Sequence, residues 1–173
     1  THWAKLNNLK QAAKTMNFLT EYGISNYGEL ESKLAALSAR RDTAHAEIKR
    51  VESRSTELAL VMKHAGTYRQ LKPLYDRYRK SNDKEKFLRG HESEIILFEA
   101  AARELKRLGA VPLPTTESMK TELANLNAEK ERLLAEYKTA RTEAQEYDTV
   151  KQNVDALLTV PKEQEQQRPH ELE

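Results

Sequence analysis

The sequence predicts an all-α protein, and three observations predict it. Only 5 Gly and 5 Pro punctuate 173 residues, about half the usual frequency of roughly 7% and 5%, so the elements between breaks are long. Ala, Leu, Glu, Lys and Arg, which lose little rotamer freedom in a helix, are abundant. Apolar residues then recur at spacings of three and four over long stretches. The apolar share is 38% with mean hydropathy −0.82, which suits helices buried along narrow stripes in an elongated body. There is no Cys, which excludes disulfide-stapled domains and thiolate metal sites. No apolar run approaches the roughly 18 residues of a membrane span, and no signal-peptide pattern is present. The chain opens on Thr, as a piece of a larger protein would.

The first helix is expected over about 2–22. Trp3, Leu6, Leu9, Ala13, Met16 and Leu19 form its apolar stripe, and Gly23 follows as its C′ residue. Ser25 or Asn26 can cap the next helix. From Tyr27 a seam runs through Leu30, Leu34, Leu37, Arg41, Ala44, Ile48, Val51, Ser55, Leu58, Met62 and Ala65. Alternating steps of three and four over about five and a half heptads are the pattern of a coiled-coil helix. Arg41 and Ser55 are its polar members, where a seam can set register at some cost in stability. A second seam comprises Met119, Leu123, Leu126, Lys130, Leu133, Tyr137, Ala140, Ala144, Tyr147, Lys151, Val154 and Leu158. Its approach, Val111 to Thr116, holds two prolines and a capping threonine, and Glu117 favours the helix start.

Pairing the two seams antiparallel within one chain buries both. Pairing them between two chains, as a homodimer, is the competing solution. Between them, helices over 67–80 and 84–108 are expected to form a short hairpin at one end of the pair, with the first helix at its base. Tyr68, Leu71, Leu74, Tyr75 and Tyr78 share one face of the former, with Pro73 as an early turn or kink. Leu88, His91, Ile95, Phe98, Ala102, Leu105 and Leu108 share one face of the latter, which closes at Gly109. The expected organisation is thus a single elongated helical domain over 1–160, with helices at about 2–22, 27–65, 67–80, 84–108 and 117–160. A disordered tail over 161–173 is expected to follow.

The formal net charge of +2 hides a local excess. Residues 63–89 carry nine basic and three acidic side chains, while the C-terminal seam is net acidic. The basic residues are Lys63, Arg69, Lys72, Arg77, Arg79, Lys80, Lys84, Lys86 and Arg89. At about 100° per residue, the tyrosine and leucine positions of 67–80 cluster on one arc and the basic positions fall outside it. The tyrosines therefore read as core rather than as base-stacking platforms. The basic face is free to meet a polyanion, with nucleic-acid phosphate the natural candidate. A solvated helix face is the alternative.

Catalytic and metal-binding patterns are missing. The histidines His2, His45, His64, His91 and His170 have no pair at ligand spacing. The run from His91 to Ile95 begins like a zinc-protease helix but lacks the second His. His91 is expected to be a buried, hydrogen-bonded member of its apolar face. No Gly-rich phosphate loop or nucleophile elbow is present, so the chain is expected to have no catalytic residue, metal or cofactor of its own.

Three stretches resemble a known family: Trp3 to Ile24 with Tyr27 to Glu31, Thr67 to Lys80 (Thr-Tyr-Arg-Gln-Leu-Lys-Pro-Leu-Tyr-Asp-Arg-Tyr-Arg-Lys), and Lys86 to Ala100. They are similar to the helical region that follows the nuclease domain in relaxase/mobilization proteins of conjugative elements from Gram-positive gut bacteria. The resemblance implies that the full-length protein is a DNA-nicking relaxase whose upstream domain uses a tyrosine and a histidine-bound divalent metal. No residue here matches that motif. The resemblance further implies a non-catalytic C-terminal module, in the bacterial cytoplasm and without membrane insertion, that contacts transfer-origin DNA or the transferred strand, or docks relaxosome and secretion-coupling proteins. A purely structural coiled-coil or dimerisation module is the alternative reading.

Overall fold

A computed structural model describes residues 1–166, with side chains as far as residue 159. The protein is all-α: α1 (His2–Glu21), α2 (Tyr27–Lys80), α3 (Lys84–Arg107) and α4 (Thr116–Gln166). No strand occurs among the described residues. The chain divides into two compact units, one of Thr1–Ala46 with the chain from Leu134 onward, the other of Glu47–Leu133. No described helix is long and apolar enough to cross a membrane.

In the first unit, α1 stops where Gly23 turns left-handed at φ 63°. The Ile24 amide then reaches back to the Leu19 carbonyl at 2.9 Å, satisfying an orphan acceptor of the last turn. Asn26 Oδ1 accepts from the Glu29 amide at 2.9 Å, and the Glu29 carboxylate accepts from the Ser25 amide at 2.7 Å. These reciprocal bonds resemble a capping box and start α2. Ile24, Leu30, Tyr147 and Val150 form the buried cluster, with Phe18, Leu19, Leu34, Leu37 and Val154 against it. The Tyr27 hydroxyl donates to Asp155 at 2.6 Å, and Arg40 reaches Glu136 at 3.2 Å. As residue numbers rise along α2 their partners fall along α4, so the pairing is antiparallel. The tyrosine hydrogen bond holds the Asp155 carboxyl below its ordinary range, and the same carboxylate raises the Tyr27 phenol.

In the second unit the same antiparallel sense continues through Arg50–Glu129, Arg54–Glu122 and Lys130–Glu52, at 2.7, 2.6 and 3.0 Å. Arg54 grips Glu122 with two nitrogens, the bidentate geometry that adds specificity to an ion pair. Val51, Leu58, Ala65, Met119, Leu126 and Leu133 of these two helices are buried. Every member of the α2 seam is buried or half-buried, as is every member of the α4 seam except exposed Leu158. The intrachain pairing thus occupies both seams. Half-buried Arg41 pairs with its neighbour Asp42 rather than across the seam, so the cross-helix ion pairs rather than Arg41 tie the register. The expected helical hairpin is present: Tyr68 and Tyr75 stack on Phe98 at 4.8 and 4.2 Å, and Tyr78 meets Phe87 at 6.0 Å. Asp83 caps α3 by accepting from the Lys86 amide, Gly109 closes it at φ 69°, and Thr115 caps α4 through the Ser118 amide.

Four expectations are corrected. The helices expected over 27–65 and 67–80 are one, α2, running through Gly66 and Pro73. An interior Gly costs only about 1 kcal/mol, and Pro about 3 kcal/mol; the aromatic packing on α3 offsets both. Because a Cβ at Gly66 would meet no atom within 4 Å, Gly66→Ala is expected to raise stability by about 0.4–1 kcal/mol. Urea denaturation of the two chains measures it, and a loss of stability would show that the position needs glycine. Secondly, α4 continues past Pro161 to Gln166, because the Lys, Glu and Gln residues after the proline are good helix formers. The rest of the expected tail, 167–173 with His170, lies outside the described residues.

Thirdly, His91 is not a hydrogen-bonded core residue. Its backbone leaves the helix at φ −137° and ψ 22°, its side chain is 38% exposed, and its buried Nδ1 has no hydrogen-bond partner among the described residues. Gly90 immediately before it supplies a weak point in the helix. Fourthly, the stripe read as the core face of α1 is largely exposed: Trp3 at 75%, Leu6 at 46%, Leu9 at 68% and Met16 at 60%. Of that stripe Leu19 alone packs on the buried cluster, beside Phe18, and the one buried residue of the helix is Thr15, 2% exposed.

Candidate nucleic-acid interface

The basic cluster lies entirely in the second unit, on the C-terminal third of α2 and the first turns of α3, on either side of the turn Ser81–Asp83. All nine cations are exposed. Tyr68, Tyr75 and Tyr78 are half-buried on the opposite face of α2, so the aromatic contacts with Phe98 and Phe87 orient that helix with its cations outward. The tyrosines pack against α3 rather than standing free, but they are half-buried and lie outside the buried core.

The cluster is not uniform. Arg69 donates to the Pro114 carbonyl and, at 2.8 Å, to the Thr116 hydroxyl, so it ties α2 to the segment entering α4. Lys72 pairs with Asp76 at 3.2 Å. Arg89 stands 3.9 Å from Glu85, with both side chains strongly exposed, a geometry that contributes little. Lys63, Arg77, Arg79, Lys80, Lys84 and Lys86 make no ion pair among the described residues. Lys63 sits 14 positions before Arg77, about 21 Å up the helix axis. The remaining five bracket one turn.

Local stability accounts for only part of this placement. Arg77, Arg79 and Lys80 lie in the last turn of α2, where the helix dipole favours cations. Lys84 and Lys86 lie in the first turn of α3, where it disfavours them. Five cations with no ion pair among the described residues stand around this turn against two acids, Asp83 and Glu85, and their net repulsion is a local cost that an anionic partner relieves.

Beside the turn is an open hollow lined by Ser81, Asp83, Lys86, Phe87, Gly90 and His91. The His91 ring lies 4.8 Å from that of Phe87, and its Nδ1 is 3.5 Å from the Glu94 carboxylate. Sequence reading missed this break at His91, for which the preceding glycine was the available signal. No group of three or more His, Asp or Glu that could hold a metal occurs among the described residues. What the arrangement offers chemically is electrostatic: long, exposed cationic side chains that can each meet a phosphate.

Fold and site together define an all-α protein that presents a cationic corner between two packed helices. Comparison with protein-family models, with curated proteins and with solved structures finds no match.

Proposed function

We propose that this chain is a non-catalytic helical module that binds DNA phosphates through the α2–α3 corner. Its setting, by the resemblance of its sequence, is the C-terminal region of a cytoplasmic DNA relaxase acting in conjugative transfer. The supporting observation is the set Arg77, Arg79, Lys80, Lys84 and Lys86, exposed around one turn and making no ion pair among the described residues. Such cations bind nucleic acid by releasing condensed counterions, which gives affinity without sequence readout. In the relaxase setting the corner holds the origin region or the transferred strand near an upstream nicking domain.

A titration of labelled duplex and single-stranded DNA at several salt concentrations tests the reading. Five phosphate contacts give an expected log–log salt slope of about −4 to −5 on duplex and about −3.5 on single strands. Absence of binding at low salt removes the DNA role. The structural alternative, a protein-docking module indifferent to DNA, then takes its place. The relaxase setting is tested separately by the coding sequence upstream, where a nuclease domain with clustered histidines and a tyrosine is expected.

A further inference from the structure

The exposed stripe of α1 is not explained by the DNA-binding reading. Taking about 100° per residue with Trp3 at zero, Met16, Leu9, Ala13, Leu6 and Trp3 occupy an arc from about 220° to 360°. Thr15, Phe18 and Leu19, which pack on the rest of the first unit, lie between about 60° and 160° on the same wheel. The face that packs, through Thr15, Phe18 and Leu19, is opposed to the apolar stripe, so packing leaves the stripe outward. From Trp3 to Met16 the outward face runs about 20 Å, longer than the isolated apolar side chains scattered over ordinary surfaces.

The charges around this face identify its occupant. Lys5 and Lys14 fall at about 200° and 20°, on the two edges of the stripe, and Lys10 at about 340°, just inside one of them. The one acid of α1 is its last residue, Glu21, at about 0°. Two copies of α1 joined face to face would set six lysines against two glutamates, a net positive charge that disfavours self-association there. An acidic groove that wraps a helix would need more than one side of it, and around Thr15 the other side is already packed. A flat anionic surface needs only the free face. Lysines flanking an apolar stripe can lay their stems on such a surface and reach its phosphates, while Trp and Leu enter the boundary between headgroups and acyl chains.

We propose that α1 docks on an anionic phospholipid bilayer, with Trp3, Leu6, Leu9, Ala13 and Met16 entering its interface and Lys5, Lys10 and Lys14 contacting lipid phosphates. The helix lies on the bilayer rather than crossing it.

Trp3 is the only tryptophan in the chain, so its fluorescence reports on α1 alone. The 173-residue chain is titrated with phosphatidylcholine vesicles with and without phosphatidylglycerol. A blue shift with quenching by brominated acyl chains is expected on the anionic vesicles and little change on the neutral ones. Each basic residue at an anionic surface contributes about fivefold in partitioning, so Lys5→Gln, Lys10→Gln and Lys14→Gln together are expected to weaken it by roughly a hundredfold. Leu9→Asp is expected to abolish the blue shift with helix content unchanged by circular dichroism. Reversing Arg77, Arg79 and Lys80 is expected to leave the Trp3 signal intact, which separates α1 from the cationic corner. No shift on anionic vesicles overturns the proposal, as does a shift that survives the triple lysine substitution. A lipid-free blue shift that grows with protein concentration and tracks a dimer in sedimentation overturns it in favour of a second copy.

Discussion

Replacing Phe98 by alanine is expected to destabilise the chain by about 3–5 kcal/mol, the range for removing a large buried aromatic. Phe98 is 5% exposed, and two tyrosines of α2 stack on its ring at 4.2 and 4.8 Å. Removing it withdraws the aromatic area and leaves Tyr68 and Tyr75 facing a void, so the cost combines transfer and cavity contributions. At about 2–4 °C per kcal/mol for a chain of this size, the melting midpoint is expected to fall by roughly 6–20 °C. Circular dichroism against temperature measures it, with Phe98→Leu as a smaller perturbation that keeps most of the volume. A change below about 1 kcal/mol would mean that the α2–α3 hairpin is not held by this ring. Because the same contacts orient the outer face of α2, the alanine variant is also expected to weaken DNA binding near its melting temperature more than the leucine variant does.

Reversing three charges, Arg77→Glu, Arg79→Glu and Lys80→Glu, is expected to have the largest effect on binding. If the corner meets about five duplex phosphates, losing three contacts reduces the salt slope from about −4 or −5 to about −2. The three new carboxylates then repel the remaining phosphates, so affinity falls further than the lost contacts alone would predict. The fold is expected to survive, since none of the three makes an ion pair among the described residues and all are exposed. The stability cost is the exchange of favourable for unfavourable charge at the α2 C-terminus, about 0.3–1 kcal/mol per residue. The neutral set Arg77→Gln, Arg79→Gln and Lys80→Gln is expected to fall between the two. DNA affinity unchanged by the reversed set would sink the interface reading and leave the protein-docking alternative.

The long helices were legible because most of their apolar residues follow one stripe, with Leu60 and Leu134 as exposed exceptions. In α2 and α4 a single stripe from Tyr27 to Ala65 and another from Met119 to Val154 leave no second choice of buried side, and those stripes are the ones that pack. Gly23 and Gly109 were legible for a related reason: each satisfies backbone groups that its own helix end leaves open. The candidate site was legible as a composition, nine cations in 27 positions, but not as a geometry. Arg69 has the same spacing and chemistry as its neighbours, yet it is spent on the Pro114 carbonyl and the Thr116 hydroxyl, more than 40 residues away in sequence. The break at His91 escaped periodicity because one residue of altered backbone does not change which face the flanking turns present.

The all-α class, the two seams, the glycine stops at Gly23 and Gly109 and the location of the positive charge could be read from the sequence, because each depends on residues a few positions apart, whereas the choice of Asn26 over Ser25 and the Asp83 cap could not. That α2 continues through Gly66 and Pro73 follows from tertiary packing, because contacts with α3 outweigh a local propensity cost. So does the division of the nine cations into those that make an ion pair and those that make none among the described residues. A local pattern shows where a helix carries an apolar stripe, but which face is buried depends on what packs against it. In α1 that puts Thr15 inside and Trp3 outside.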